Sequence, residues 1–188
     1  MIKRSVFFAL FITTLLYTNT SNAHYSIEAN YGLSGVFEPS SNEFTHFGAG
    51  VSYDFDEVYG IKLDFGSDKF RVNDAVLGKS GINVSRISLQ GTINISTAIN
   101  RINSDNTFNL IAHAGGGIST IKPFNTNGGN DNAMNVILGL TPRFKISEGL
   151  YFAVDTALVF NISQHYNFDG SLAYENTPNS FTGITYNV

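Results

Sequence analysis

Eight charged residues share a spacing that would place them on one face of a sheet. Each belongs to a segment in which polar and apolar residues alternate, and a strand sends alternate side chains to opposite faces. Acids and bases are equal in number, so the set could form either a charged pore lining or a paired ionic network. The eight residues are Glu28, Asp54, Lys62, Asp64, Arg86, Arg143, Lys145 and Asp155.

Mutual pairing is the interpretation that we favour for these charges. An eight-stranded barrel has an interior just wide enough for side chains, and an orphaned buried charge costs roughly 3–5 kcal/mol. Toward the same ends of their strands lie Lys62, Arg143, Glu28, Asp64 and Asp155. We expect these five to lie together, whereas Arg86 begins its strand near the long connections and is expected to be more isolated.

Three histidines are candidates for catalytic or metal-binding residues. His46 and His113 have the parity of the inner charges, and His165 begins a long polar connection. The sequence has no HxH or HExxH spacing and no Cys. The glycines of 115–117 lack the Lys-Ser/Thr and the helix of a phosphate loop, so we expect them to ease a bend or to make room for bulky neighbours. We therefore expect no catalytic residue, no metal and no cofactor.

The alternation that would position these side chains recurs in eight segments. In YGIKLDFGSD, which starts at Tyr59, the apolar residues share one parity, and the small and charged residues share the other. The segments predicted as strands are 25–37, 45–55, 59–68, 83–96, 107–121, 133–146, 151–164 and 180–188. Tight turns at 56–58 and 147–149 alternate with longer polar connections at 38–44, 70–82, 122–132 and 165–179, and 97–106 is an exception in length.

This pattern predicts an all-β fold, an eight-stranded antiparallel up-and-down transmembrane β-barrel. Each segment is near or above the roughly 9–11 residues of a tilted membrane strand, and eight strands is the small end of the bacterial outer-membrane range. The oily face would then point to lipid and the charges into the lumen. Aromatic residues predicted to form an interfacial girdle at the tight-turn ends are Tyr25, Tyr53, Phe55, Tyr59, Phe108, Phe144 and Tyr151.

Residues 1–23 have the features of a cleaved signal peptide. Lys3 and Arg4 precede a short apolar run, and Ser21-Asn22-Ala23 is a plausible cleavage site. The barrel domain would occupy 24–188, with its net charge changed from −4 to −6 by the loss of Lys3 and Arg4. No basic patch suggests nucleic acid as a partner. We expect export to the outer membrane of a Gram-negative bacterium.

Five segments resemble one known family. They are GIKLDFG from Gly60, RISLQG from Arg86, LIAHAGGG from Leu110, GLTPRFKIS from Gly139 and QHYNFDG from Gln164. They resemble the N-terminal barrel of the OmpA-type outer-membrane proteins of Bacteroidetes-like Gram-negative bacteria, over most of the chain after residue 23. The resemblance implies an envelope protein, often one whose barrel is followed by a periplasmic peptidoglycan-binding domain. It carries no catalytic signature.

The expected function is structural and not enzymatic. Such a protein would support envelope integrity, present surface loops and contact outer-membrane lipid and lipopolysaccharide. The alternatives are a narrow channel for small solutes and a soluble ligand-binding barrel of the lipocalin kind. The last predicted strand, 180–188, is shorter than its partner 25–37 and ends on Val. We expect the gene product to continue past Val188, with peptidoglycan as a partner if a binding domain follows.

Overall fold

The backbone hydrogen bonds of this chain close a ring of eight antiparallel strands. The structure, a computed structural model, describes residues 18–20, 23–37, 41–74, 78–100, 107–124, 129–172 and 181–188. The strands are β1 (Thr18–Thr20), β2 (Ala23–Val36), β3 (Ser41–Asp54), β4 (Tyr59–Asp74), β5 (Gly78–Asn94), β6 (Phe108–Pro123), β7 (Asp131–Ser147), β8 (Leu150–Ala153), β9 (Thr156–Gln164) and β10 (Phe181–Asn187).

Ring closure follows the order of the chain. The order is β2, β3, β4, β5, β6, β7, β9 and β10, and β10 returns to β2 through Ser34–Val36. The predicted all-β fold with eight antiparallel strands is confirmed. Strand β8 pairs with β7 beside β9, so the predicted strand 151–164 is interrupted at Val154 and Asp155. No helix in the described part of the chain is long and apolar enough to span a membrane.

Apolar and polar residues separate onto opposite faces of the ring. Leu63 is 51 % exposed, whereas its neighbour Lys62 is 4 % exposed. The same split holds on the other strands. Apolar residues of the alternating pattern that are exposed on the outer face include Ile61, Leu63, Phe65, Leu89, Val136, Leu138 and Leu158. Val154 is half-buried at the interruption between β8 and β9. The buried face is therefore largely polar, and the exposed face is rich in large apolar side chains.

Two glycines are required by the close approach of β5 and β6. A Cβ atom at Gly115 would overlap the backbone of Leu89, and one at Gly117 would overlap the backbone of Ile87. At positions 115 and 117 the space is thus needed for the backbone of the neighbouring strand, since only glycine leaves it free.

One end of the ring, where the long connections lie, is filled by apolar side chains. Phe70, Ile82 and Ile121 are 0–2 % exposed and point inward. This apolar plug consists of Val36, Phe70, Ile82, Val84, Ile121, Ala133 and Phe168. The prediction of loops at 70–82 and 122–132 is wrong at their edges, because β4 runs to Asp74 and β5 begins at Gly78. These residues keep the strand alternation and bury their apolar members.

Phe168 reaches the plug from a compact turn after β9. Its ring lies edge-on to Phe70, with 5.6 Å between the centroids. The turn is held by Asn167 N donating to Ser171 O and by Gly170 N donating to Asn167 O, at 2.8 and 2.9 Å. Asp131 of β7 accepts the backbone N–H of His165 at 2.7 Å and so ties the start of the turn to the wall.

Three residues depart from the simple alternation. Ile95, predicted in the fourth strand, begins the helix α1 (Ile95–Asn100) instead, where Asn94 Oδ1 accepts the N–H of Thr97 at 3.3 Å. Ser163 has the parity of the inner residues of the segment 151–164 but is exposed, because its φ of 63° shifts the register against β10 and buries Gln164. Tyr151, predicted in the aromatic girdle, is 5 % exposed. Its parity is that of the inner residues.

The seam between β2 and β10 is shorter than the other pairings. Leu33 exchanges backbone hydrogen bonds with Val188, and β1 pairs with Ala23–Tyr25 at the other end of the same edge. Among the residues that the structure describes, no strand partner is recorded on this edge for Ile27–Gly32. The β1 pairing was not anticipated, and the expectation about residues beyond Val188 stays a prediction.

The position of Phe168 in the apolar plug predicts that its side chain contributes strongly to stability. Phe168→Ala should lower the free energy of unfolding by about 3–5 kcal/mol, because it removes a buried ring and leaves a cavity. Circular dichroism during a denaturant titration measures this. Phe44→Ala is the matched control, since Phe44 is 57 % exposed and its loss should change stability by only about 0.5 kcal/mol. Equal losses for both variants would contradict the assignment of Phe168 to the plug.

Candidate functional site

The polar interior of the ring is the candidate functional site. The inner parity holds for all eight charged residues singled out from the sequence. Lys62, Asp64, Arg86 and Arg143 are buried, and the other four are half-buried. Toward the tight-turn end lie Glu28, Asp54, Lys62, Asp64, Arg143, Lys145 and Asp155, and Arg86 lies toward the plug.

Lys62 forms the centre of the first charged group. Its ammonium contacts the Glu28 carboxylate and lies 3.5 Å from Asp64 Oδ1. The register explains how two acids reach one base, because Gly50 on β3 lies between Glu28 on β2 and Asp64 on β4. With no side chain at Gly50, Glu28 can cross β3 to Lys62. The three charges thus connect β2 with β4 over an intervening strand.

His113 forms the centre of a second group, which links β5, β6 and β7. Its Nδ1 lies 2.6 Å from Gln90 Oε1, and its Nε2 lies 2.9 Å from Asp155 Oδ1. Thr141 donates to the same Asp155 oxygen at 2.6 Å. A Cβ at Gly139, the β7 residue opposite His113, would overlap the imidazole. Both ring nitrogens face oxygen acceptors, so neither is directed at a hydroxyl nucleophile, and the arrangement positions Asp155 at the β8–β9 interruption.

Asp68 collects the third group, just below the plug. Its Oδ1 lies 2.7 Å from His46 Nδ1, and its Oδ2 accepts from Arg86 at 2.6 Å. The Asn187 carboxamide satisfies both partners when its nitrogen donates to Asp68 at 3.2 Å and its oxygen accepts from Arg86 at 2.8 Å. Because Asn187 is in β10, this group joins β3, β4 and β5 to the strand that closes the ring.

The expectation that Arg86 would be isolated is wrong. Asp68, its partner, was missed because it stands at the edge of the predicted strand 59–68, where the segment was thought to turn into a loop. The signal was present, since Asp68 has the parity of Lys62 and Asp64. The extension of β4 to Asp74 places Asp68 well inside the sheet.

Arg143 borders the small free spaces of the interior. Its guanidinium lies over the ring of Tyr151, with 4.6 Å from Cζ to the centroid. A cavity of about 40 Å³ is lined by side chains that include Glu28, Asp54, Lys62, His113 and Arg143. A second, of about 30 Å³, lies toward the turn residues Asp56–Val58. A water molecule needs about 10–15 Å³ of such space, so these cavities can hold a few waters.

The charged groups do not assemble into a metal site in the described residues, where no three His, Cys, Asp or Glu side chains converge. No protein-family model matches the chain, and no curated protein or solved structure matches it either. What the interior can do chemically is therefore argued from its contacts. It can hold charges in pairs, cross-link neighbouring strands and retain a few waters.

The contacts of Lys62 predict that the stability of the protein depends strongly on the pairing of these charges. Lys62→Met should lower the free energy of unfolding by roughly 3–5 kcal/mol, because it leaves Glu28 and Asp64 buried without their cation. Adding Glu28→Gln to Lys62→Met should recover part of the loss. Denaturant titration of Lys62→Met, of Glu28→Gln, of the double variant and of Lys69→Met, an exposed control, measures this. A double variant as unstable as the sum of its single variants would contradict the pairing.

The contacts of Asp68 and Arg86 with Asn187 predict that loss of the Asp68 charge destabilises β10, the strand that closes the ring. Asp68→Asn should lower the free energy of unfolding by roughly 3–5 kcal/mol, because Arg86 then remains buried without a counter-charge. Asp169→Asn, in the turn after β9, is the control. Hydrogen exchange followed by mass spectrometry should show faster exchange in β10 for Asp68→Asn than for the control. Unchanged exchange in β10 would contradict the role of Asp68 in closing the ring.

Proposed function

We propose that this chain is a structural outer-membrane protein that crosses the membrane as an eight-stranded β-barrel with a closed interior. The observation that carries the proposal is the inversion of its two faces. Lys62, Asp64 and Arg86 are buried, while large apolar side chains cover the outside. A sheet in water buries its apolar face, whereas a barrel in lipid exposes it and keeps the polar face inside.

The outer face of β4, β5 and β6 illustrates the extent of the apolar belt. Residues paired across these strands form rungs, each two residues from the next along a strand. Four successive rungs are apolar or small, and they are Phe65/Ile87/Ile118, Leu63/Leu89/Gly116, Ile61/Gly91/Ala114 and Tyr59/Ile93/Ala112. Soluble monomers rarely expose a contiguous apolar surface larger than a few hundred Å², so this belt supports burial in lipid.

The contents of the interior favour this proposal over a lipocalin-like ligand carrier. Ligand pockets of drug-sized molecules occupy about 300–1,000 Å³ and are mostly apolar. The cavities beside Lys62 and Arg143 measure about 40 and 30 Å³ and are lined by charged groups. There is room for water but not for such a ligand.

The same contents favour a closed barrel over a narrow channel. The Lys62 and His113 groups line the same small cavity, the Asp68 group lies nearer the long connections, and the apolar plug fills the interior at that end. Narrow eight-stranded barrels fill with side chains in this way. Reconstituted in planar bilayers, the protein should give no ion currents of porin size, and steady currents of that size would replace the structural proposal with the channel.

The remaining parts of the proposal concern the cell envelope. We propose that the protein resembles OmpA-type barrels in stabilising the envelope, presenting surface loops and contacting outer-membrane lipid and lipopolysaccharide. Export through the signal peptide at residues 1–23 belongs to the same proposal. Peptidoglycan would be a partner only through a further domain.

The orientation of the outer face can be tested with a single charge. Leu63→Arg should make folding into lipid vesicles less favourable by roughly 2–4 kcal/mol, because it places a charge near the midplane of the apolar belt. Leu172→Arg is the matched control, since Leu172 is also exposed but lies in the turn after β9. Denaturant titration in vesicles measures both. The proposal fails if Leu63→Arg folds into vesicles as well as Leu172→Arg does.

A further inference from the structure

Basic residues gather on the outer face of the ring at the end of the long connections. Lys69 of β4 and Lys122 of β6 both pair with Asn83 of β5, so the two lysines flank one asparagine on a single rung. Both lysines are exposed. Two strand spacings separate their Cα atoms by about 9.6 Å, a gap that the flexible lysine stems can close.

Arg71, on the next rung, is held in place by its neighbours. Its Nη1 donates to Phe70 O and Ile82 O at 2.8 Å, and its Nη2 donates to Asn83 Oδ1 at 2.5 Å. The guanidinium lies over the exposed Phe124 ring, 4.1 Å from its centroid. Glu43 on β3 is the acid whose charge acts on Arg71. The guanidinium is thus fixed beside the two lysines.

The position of this basic patch, Lys69, Arg71 and Lys122, relative to the apolar belt is set by the register. The rung next to the lysines holds the hydroxyl residues Ser67, Ser85 and Thr120, and the following rung is the first apolar one. Rungs two residues apart are about 6.7 Å apart along a strand. The lysines therefore lie about 13 Å along the strands from the first apolar rung, where the headgroups of a surrounding bilayer would lie.

The opposite end of the ring carries charge of the opposite sign. The exposed charged residues of the tight turns are Asp56, Glu57 and Glu148. Anionic headgroups would be attracted to the end with the lysines and repelled from the end with these acids. Among the described residues, the lysine rung and the tight turns at the opposite end therefore carry exposed charges of opposite sign.

We propose that Lys69, Arg71 and Lys122 bind the phosphate groups of a phosphorylated lipid headgroup, the chemistry that lipopolysaccharide presents in the outer leaflet. This inference rests on the proposed function, because it needs the apolar belt in lipid. Lysines act on phosphate as mobile point charges, and the fixed Arg71 adds a planar donor group. The hydroxyls of Ser67 and Ser85 on the adjoining rung supply further donors.

The test compares charge removal with charge conservation. The variants are Lys69→Gln/Lys122→Gln and Lys69→Arg/Lys122→Arg, each in the full chain purified in a neutral detergent. The probes are bisphosphorylated lipid A, the same lipid after dephosphorylation, and inorganic phosphate, with binding followed by native mass spectrometry. Each lysine near an anionic surface contributes about 1 kcal/mol, so the glutamine variant, which lacks two, should bind bisphosphorylated lipid A about 30-fold more weakly. The arginine variant should bind it like the wild type.

The outcomes separate this inference from the proposed function. The site is supported if wild type prefers phosphorylated over dephosphorylated lipid and loses that preference in the glutamine variant. It is overturned if the glutamine variant keeps the preference, or if inorganic phosphate binds as tightly as the lipid. Insertion of all variants into zwitterionic vesicles is measured in parallel. Failure of the wild type to insert would overturn the proposed function, whereas insertion without phosphate preference would overturn the site alone.

Discussion

The width of the interior is the constraint on which the rest of the structure depends. An eight-stranded ring encloses only enough space for its own side chains, so every inward charge must find its partner among the other side chains of the interior. Large polar side chains therefore lie opposite glycines on neighbouring strands. Gly139 leaves room for the His113 ring, Gly66 leaves room for the Arg86 guanidinium, and Gly50 lets Glu28 cross to Lys62. The inner glycines and the charged groups form one complementary set.

The interior is divided into a charged half and an apolar half. The charged half lies toward the tight turns, where the two small cavities can admit water beside Arg143. The apolar half lies toward the long connections and is sealed by Phe168. Asp68 and its two cationic partners lie at the boundary. This division separates the two cavities and their charged lining from the end where the long connections lie.

The alternation of residue types predicted most of the fold, because a strand keeps its two faces over its whole length. Parity placed Leu63 and Lys62 on opposite faces, and the interpretation as an outer-membrane barrel assigned Leu63 to the outer face, where it is exposed. The failures occurred where a local event ended that parity, as at the Ser163 bulge and at the helix that begins at Ile95. The partner of each inward charge was harder to predict than the face of the sheet on which the charge lies. The Arg86–Asp68 pair depends on how far β4 extends, and composition at 70–82 suggested a loop where Phe70 and Ile82 instead bury their side chains.

The ionic groups are better understood as determinants of register than as sources of net stability. Buried ion pairs often contribute little compared with apolar residues of the same volume, because removing two charges from water is costly. Their effect on register is larger. A slip of β4 by one residue would turn Lys62 and Asp64 outward and Leu63 inward, so that every charge would lose its partner and every apolar residue its face. An all-apolar interior would leave β4 with two similar faces and no such penalty. We infer that Lys62, His113 and Asp68 hold neighbouring strands in a single alignment, and that the order of rungs on the outer face, from the apolar belt to Lys69 and Lys122, depends on that alignment.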